Sequence, residues 1–280
     1  MDSAEHRPGR IKIAVVLSVA VLAISMAAIF IKLAMNSADL ESSGQNKVGF
    51  SVFLAASRMS LAALLMIPFW IRARAKNNAE KPPLDPKTIY LALTAGLFLG
   101  LHFALWISSL AYTSVAASVT LVTTNPLWVL FFGWILFGER PSRRSIAGVI
   151  IAICGGVYIG LGAGEGSGGS DPLLGDALAI TGSMAMSIYL LLGQRVQKRG
   201  LDTASYSLLV YSVAAVVLLP IPILFGVSYV GHSSDVYFWI ICLALVSQMV
   251  GHTGLNWSVR WVPPTTVALA ILFEPIGSSV

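Results

Sequence analysis

Two ionisable side chains inside long apolar runs are the first candidates for chemistry in this sequence. Arg58 and Glu274 each lie about ten residues from the end of such a run, which is roughly 15 Å at 1.5 Å per helical residue. A charge at that depth costs about 2.5–3.5 kcal/mol in a membrane, so it needs a partner or a function. Arg58 fits an anion-attracting group in a cavity or an internal clamp. Glu274 fits proton coupling, amine binding or a neutral hydrogen-bonded carboxyl, and the depths also allow an Arg58–Glu274 pair.

Two prolines stand inside apolar runs beside these polar groups. Pro126 and Pro275 have no amide donor, so each releases the carbonyl four residues earlier, on Val122 and Ile271. Freed carbonyls are tolerated at membrane depth where they line a cavity or gain polar partners. Three polar residues precede the first proline: Thr123, Thr124 and Asn125. We favour a cavity wall over a packing kink.

Two histidines have a tryptophan about one helical turn later. They are His102, followed by Trp106, and His252, followed by Trp257. These side chains could hydrogen-bond or stack against a substrate. The alternative is an interhelical hydrogen bond, worth about 0.6 kcal/mol.

A polar stripe surrounds the second histidine. Gln248, His252 and Asn256 recur at every fourth position, so on an α-helix they share one face. This face is expected to meet protein or water rather than lipid, either in the cavity or at a helix contact.

The elements that carry these residues are membrane helices. The 280 residues are 56% hydrophobic and 11% charged, whereas soluble domains carry about 25% charged residues. Apolar runs of spanning length occur at about 13–35, 48–71, 88–112, 115–137, 145–162, 173–194, 203–226, 237–259 and from 264 onward. Continuous apolar runs without strand alternation predict helices in a lipid bilayer.

The positive charge lies in short loops, which excludes a nucleic-acid partner. Fifteen Lys and Arg residues occupy the amino terminus and the even-numbered connections, against Lys47 alone in the alternate connections. This distribution places the amino terminus in the cytoplasm.

Weak internal similarity divides the chain into two halves. At an offset of 150, His102 and Ser108 coincide with His252 and Ser258, and Pro68 meets Pro220 at an offset of 152. The predicted boundaries are a first repeat at 1–162, a Gly/Ser-rich connector at 163–172 and a second repeat at 173–280. Since five spans make an odd number, the two copies must be inverted. Inverted repeats are a common plan of secondary transporters.

These residues also carry a resemblance. Together with the Gly138–Ser142 sequence GERPS and Gly148, the residues Arg58, Pro126 and Glu274-Pro275 resemble the drug/metabolite transporter superfamily, EamA-like family. The resemblance implies ten helices in two inverted five-helix repeats. It also implies export of amino acids or other small organic metabolites by alternating access across a bacterial plasma membrane, with no cofactor.

The sequence departs from the family pattern at its end. Glu139 lies 13 residues after Pro126, so the copy following Pro275 would stand at position 288, beyond Val280. We therefore expect an all-α polytopic membrane protein of two inverted repeats, with nine spans visible, the second repeat truncated in its fourth helix, and the tenth helix missing.

Alternatives remain at this stage. A transporter of phosphorylated or nucleotide-linked metabolites would favour several basic groups at midplane, where Arg58 alone stands. A non-transporting membrane scaffold is the other alternative. An enzyme is disfavoured because the spans contain no HExxH or GxSxG motif, and two histidines 150 residues apart do not make a metal site without a third ligand.

Overall fold

The computed structural model describes residues 7–38, 46–76, 85–162 and 169–275. Residues 163–168 of the predicted connector and the last five residues lie outside these ranges. The described residues form helices and no strand. The helices are α1 (Arg10–Ser25), α2 (Ala27–Ser37), α3 (Lys47–Lys76), α4 (Pro86–Ser109), α5 (Val115–Val122), α6 (Asn125–Phe137), α7 (Arg143–Gly162), α8 (Pro172–Lys198), α9 (Thr203–Leu218), α10 (Pro220–Leu224), α11 (Ser234–Cys242), a π-helical segment (Leu243–His252), α12 (Thr253–Trp261) and α13 (Pro264–Ile271).

Seven stretches of the described chain are long and apolar enough to cross a membrane, so this is a multi-pass membrane protein. They are Arg10–Ser37, Lys47–Ala75, Pro86–Ser109, Val115–Phe137, Pro172–Lys198, Thr203–Leu224 and Ser234–Trp261. The predicted fifth span lies within α7, and the predicted ninth begins with α13. Neither is among the seven, and nine spans therefore stay a prediction.

Both prolines predicted to interrupt helices stand at interruptions. α5 ends at Val122, and α6 begins at Asn125 with Pro126 in its first turn, where the missing amide costs nothing. Likewise α13 ends at Ile271, and the helical conformation resumes at Glu274 and Pro275. The two breaks have the same form, a helix end followed by a polar residue and proline.

A second irregularity is the π-helical segment between α11 and α12. π-Helical bonding is rare and is frequently found at functional sites. The segment carries Gln248 and His252, and its Gly251 lies against α1, where an added Cβ would stand 2.6 Å from a side-chain carbon of Ile24. Glycine therefore permits the close approach of α1 to the π-helical segment.

Close packing around α4, α8 and α9 forms the centre of the bundle. α4 packs on both α8 and α9, and α3 packs on α9 and on the π-helical segment. Gly96 of α4 allows the contact with α9, because an added Cβ would stand 2.6 Å from the Cβ of Val213. α1 packs on the π-helical segment and α12, while α6 packs on α13. These contacts bring the two broken helices together.

Candidate functional site

A cavity lies where the broken helices meet the bundle. Its polar lining consists of His102, Trp106, Asn125, His252 and Glu274, and its apolar lining of Ile24, Ala27, Val122, Met186 and Ile271. The cavity is small, with a volume of about 20 Å³. Since a single water needs roughly 10–15 Å³, it has room for one or two waters.

The helix breaks form one wall of the cavity. Val122 and Ile271, the last residues of α5 and α13, line it together with Asn125 and Glu274. Ser187 of α8 donates to the main-chain carbonyl of Asn125 at 3.1 Å. The side-chain Oδ1 of Asn125 is buried and accepts no hydrogen bond from the described residues. The wall therefore offers oxygen acceptors at both breaks.

The two histidines meet across the cavity. The centroids of the His102 and His252 rings are 6.3 Å apart. The His102 ring stacks on Trp106 at 5.9 Å, and its Nδ1 lies 2.9 Å from the carbonyl of Gly182, which fixes Nδ1 as the protonated nitrogen. His252 Nδ1 has no hydrogen-bond partner among the described residues. The predicted His102–Trp106 pair is thus in contact and lines the cavity.

Arg58 lies behind the cavity wall instead of in it. Its side chain is fully buried, and its Nε donates to Oε1 of Gln248 at 2.9 Å. The guanidinium carbon stands 4.2 Å from the centroid of the Phe103 ring, and that ring lies 5.0 Å from the ring of His252. Arg58 therefore connects α3 to the π-helical segment and lies outside the cavity lining, with Phe103 against its guanidinium.

Arg58 and Glu274 do not form an ion pair; the ion pairs among the described residues join other side chains. No carboxylate of the described residues makes a salt bridge with Arg58, and its Nη1 and Nη2 have no hydrogen-bond partner there. Glu274 is thus the acidic residue that lines the cavity.

The three residues of the polar stripe, which lie in the π-helical segment and α12, have different surroundings. Gln248 meets Arg58, and His252 lines the cavity. Asn256 lies in a buried hydrogen-bond network, where its Oδ1 accepts from the hydroxyl of Tyr189 and its Nδ2 donates to Ser207 at 3.2 Å. Asn256 is outside the cavity lining and joins α12 to α8 and α9.

The remaining candidates stand beside the site or away from it. Thr123 lies at the break, but its hydroxyl donates to the carbonyl of Val119 at 2.8 Å, within its own turn. Trp257 is outside the lining and contacts Trp261, with ring centroids 6.2 Å apart. Pro126 is buried next to Asn125, and Pro275 follows Glu274. Both prolines place the polar residue before them rather than contacting the cavity.

Sequence reasoning missed the apolar part of the lining. Met186 of α8, with Ile24 and Ala27 of α1 and α2, completes the cavity. No polar or breaking residue distinguishes these positions in the sequence. No group of three or more His, Cys, Asp or Glu residues in the described ranges is arranged to hold a metal ion.

Known proteins resemble this chain in sequence and in fold. The model of the EamA-like transporter family matches residues 11–161, more than half of the 280 residues. The chain is 28% identical over 152 residues to "Uncharacterized transporter YetK" of Bacillus subtilis (strain 168), covering 51% of this chain and 43% of that protein. It is 23% identical over 198 residues to an "Uncharacterized transporter" of Clostridium kluyveri, covering 68% and 62%.

A yeast protein and a crystal structure extend these similarities. The "Thiamine-repressible mitochondrial transport protein THI74" of Saccharomyces cerevisiae is 26% identical over 178 residues, covering 54% of this chain and 48% of that protein. The chain thus spans between 43% and 62% of the length of these curated relatives. A solved crystal structure is 19% identical with a TM-score of 0.67, covering 96% of this chain and 86% of its own, which shows a shared fold.

Proposed function

Because the chain belongs to the EamA-like transporter family, we propose that it is a secondary transporter that exports amino acids or other small organic metabolites by alternating access. The family and the transporter names of its relatives assign it to membrane transport rather than to enzymes. The observation that carries the proposal is the cavity between the two broken helices, lined by Asn125, His102, His252 and Glu274. Secondary transporters bind their substrates at such breaks near midplane.

The pattern of helix contacts supports two inverted repeats at 1–162 and 173–280. If helices of the two halves correspond, each contact should recur with the halves exchanged. α4 packs on α8. The counterpart of α4 is the π-helical segment together with α12, and the counterpart of α8 is α1; these counterparts also pack on each other. α5 packs on α8, while its counterpart α13 packs on α1. His102 and His252, which stand at corresponding positions, meet each other directly.

The size of the cavity supports alternating access. Room for one or two waters is too little for an amino acid, so a substrate requires an opening of the cavity. Alternating access supplies that opening by moving one repeat against the other around the site.

The membrane and the orientation belong to the same proposal. The distribution of Lys and Arg supports a cytoplasmic amino terminus. Two of the named relatives are bacterial, which supports a bacterial plasma membrane, and the direction of export comes from the family resemblance. Glu274 is the acidic group of the cavity that would take up and release a coupled proton.

The lining of the cavity weighs against a phosphorylated or nucleotide-linked substrate. Such a substrate carries two or more negative charges and is bound by Lys and Arg. None of the residues lining the cavity in the described chain is Lys or Arg.

Reconstitution into liposomes tests the proposal. Purified protein should move amino acids or other small metabolites faster than protein-free liposomes do, with saturation and with counterflow of unlabelled solute. A screen with and without a pH gradient also reveals proton coupling. Glu274→Gln should abolish or uncouple the flux, while Glu139→Gln, outside the cavity and paired with Arg195, should retain it. Equal flux in all three proteins would refute the site, and the absence of any flux would refute transport.

A further inference from the structure

We propose that the cavity binds a protonated amine, held by the carboxylate of Glu274 and by Oδ1 of Asn125, so that small organic amines are ligands whether or not they carry a carboxylate. This inference rests on the proposed function, because it assigns a ligand class to the transport cavity. Binding can nevertheless be measured without transport.

The charge of the lining favours a cation. Glu274 is the ionisable acid of the lining, and no described lining residue is Lys or Arg. Glu274 is 6% exposed, and the ion pairs among the described residues do not include it. An ionised carboxylate at this position would be costly without a cation in contact. An ammonium group in the cavity would supply that cation.

A second oxygen stands at the corresponding break. Asn125 is 1% exposed and lines the cavity, and its Oδ1 lacks a hydrogen-bond donor among the described residues. Asn125 begins α6, and Glu274 follows α13, which packs on α6. An ammonium group has three donors and no acceptor. It therefore matches a site that offers a carboxylate and an amide oxygen.

The rest of the lining suits the body of an organic amine. Trp106 lines the cavity and stacks on the ring of His102. Five lining residues are aliphatic or thioether side chains, which exclude water and contact carbon. The cavity thus combines a small polar end with an apolar wall.

The alternative ligand group is a carboxylate, for which Arg58 would be the partner. Arg58 has two guanidinium nitrogens without a hydrogen bond to described residues. It lies outside the lining, however, with the Phe103 ring against its guanidinium at 4.2 Å. A carboxylate entering the cavity would meet the negative charge of Glu274 with no cation in contact. The geometry therefore favours an amine over an acid.

Three probes on one carbon skeleton test the ligand class. Phenethylamine carries the amine alone, phenylalanine carries both groups, and 3-phenylpropionate carries the acid alone. Isobutylamine, valine and isovalerate form a smaller series for the same comparison. Binding to purified protein in detergent, measured by calorimetry at millimolar ligand, should be seen for the amines and not for the acids. An amino acid should bind no more tightly than the amine of its series.

Variants of the two oxygens provide the decisive comparison. Glu274→Gln should weaken binding of the amine roughly 10- to 100-fold, the range expected for loss of a charged hydrogen-bond partner. Asn125→Asp should strengthen it, because a charged acceptor replaces a neutral one. Glu139→Gln removes a carboxylate outside the cavity and should leave the affinity unchanged. The gain expected for Asn125→Asp keeps the test valid even if Glu274→Gln does not fold.

Each outcome decides the question. Binding of the acids but not the amines, unchanged amine affinity in both cavity variants, or no amine binding at all would overturn the inference. Amine binding without transport in liposomes would leave it standing and refute the proposed function. Transport of other solutes without amine binding would overturn the inference and leave the proposed function standing.

Discussion

The hydrogen bond between Arg58 and Gln248 allows a quantitative test of the bundle. A guanidinium stays protonated in proteins, and this one is fully buried with Gln248 as its hydrogen-bond acceptor among the described residues. Gln248→Leu removes that acceptor with little change in volume. Hydrogen bonds to charged groups contribute about 1.5–3 kcal/mol. At about 2–4 °C per kcal/mol, the melting temperature should fall by about 3–12 °C.

A double-mutant cycle separates this bond from general damage. Arg58→Met removes the charge but leaves a side chain that can still pack on Phe103. In Arg58→Met/Gln248→Leu both polar partners are gone, and replacing both by apolar groups is nearly neutral. The double variant should therefore be more stable than Gln248→Leu alone. Unfolding in detergent, followed by tryptophan fluorescence, gives the four melting temperatures.

A second glutamine serves as the matched control. Gln194 is also buried, but its Nε2 donates to the neutral carbonyls of Val259 and Val262 at 3.2 and 3.0 Å. The cycle of Arg58→Met with Gln194→Leu should be additive within about 0.5 kcal/mol, as expected for independent sites. The same additivity for Gln248→Leu would refute the conclusion that Arg58 depends on the π-helical segment.

Three further predictions concern regions outside the cavity. Gly96→Ala should lower the melting temperature clearly, because the added Cβ would stand 2.6 Å from an α9 side chain. Gly148→Ala is the control, since an added Cβ there meets open space and should leave the melting temperature unchanged. Thermal unfolding compares the two variants. The amide of Thr88 donates to the Asp85 carboxylate and lowers its pKa below the ordinary value of 3.8. The stability from this cap is therefore complete above about pH 4 and is lost as the pH falls further, and Asp85→Ala should remove that part of the pH dependence of the melting temperature. Glu139→Gln should cost less than about 1 kcal/mol, since the Glu139–Arg195 pair at 2.8 Å is partly exposed; a loss above 2 kcal/mol in chemical unfolding would contradict this.

Features that depend on one helix could be predicted from the sequence. Pro126 and Pro275 predict the two helix breaks, because a missing amide removes a hydrogen bond to the carbonyl four residues earlier in the same helix. The spacing of His102 and Trp106 predicts one shared helix face, because residues four apart share a face. The positions of Arg58 and Glu274 within their apolar runs predict that both lie deep in the membrane, and this stays a prediction.

Features that depend on how helices rotate against each other could not be predicted. The depth of Arg58 does not reveal that Phe103 of another helix stands against it. The every-fourth-residue stripe assumed an α-helix, yet Gln248 and His252 lie in a π-helical segment, whose wider turns change the directions of successive side chains. Asn256 therefore points to α8 and α9 rather than to the cavity. The position of Met186 in the cavity lining could not be predicted, because residues of an apolar lining and of an apolar core are of the same types.

The two helix breaks explain why the polar groups of this protein are concentrated in one place. In lipid a broken helix leaves carbonyls that must find donors, so a break is stable only where protein or water replaces them. Here the residues that end α5 and α13, Val122 and Ile271, line one cavity together with Asn125 and Glu274. On the proposed function, a ligand rich in donors would satisfy both breaks at once. The missing backbone bonds would also make these helices the easiest to bend when the cavity opens.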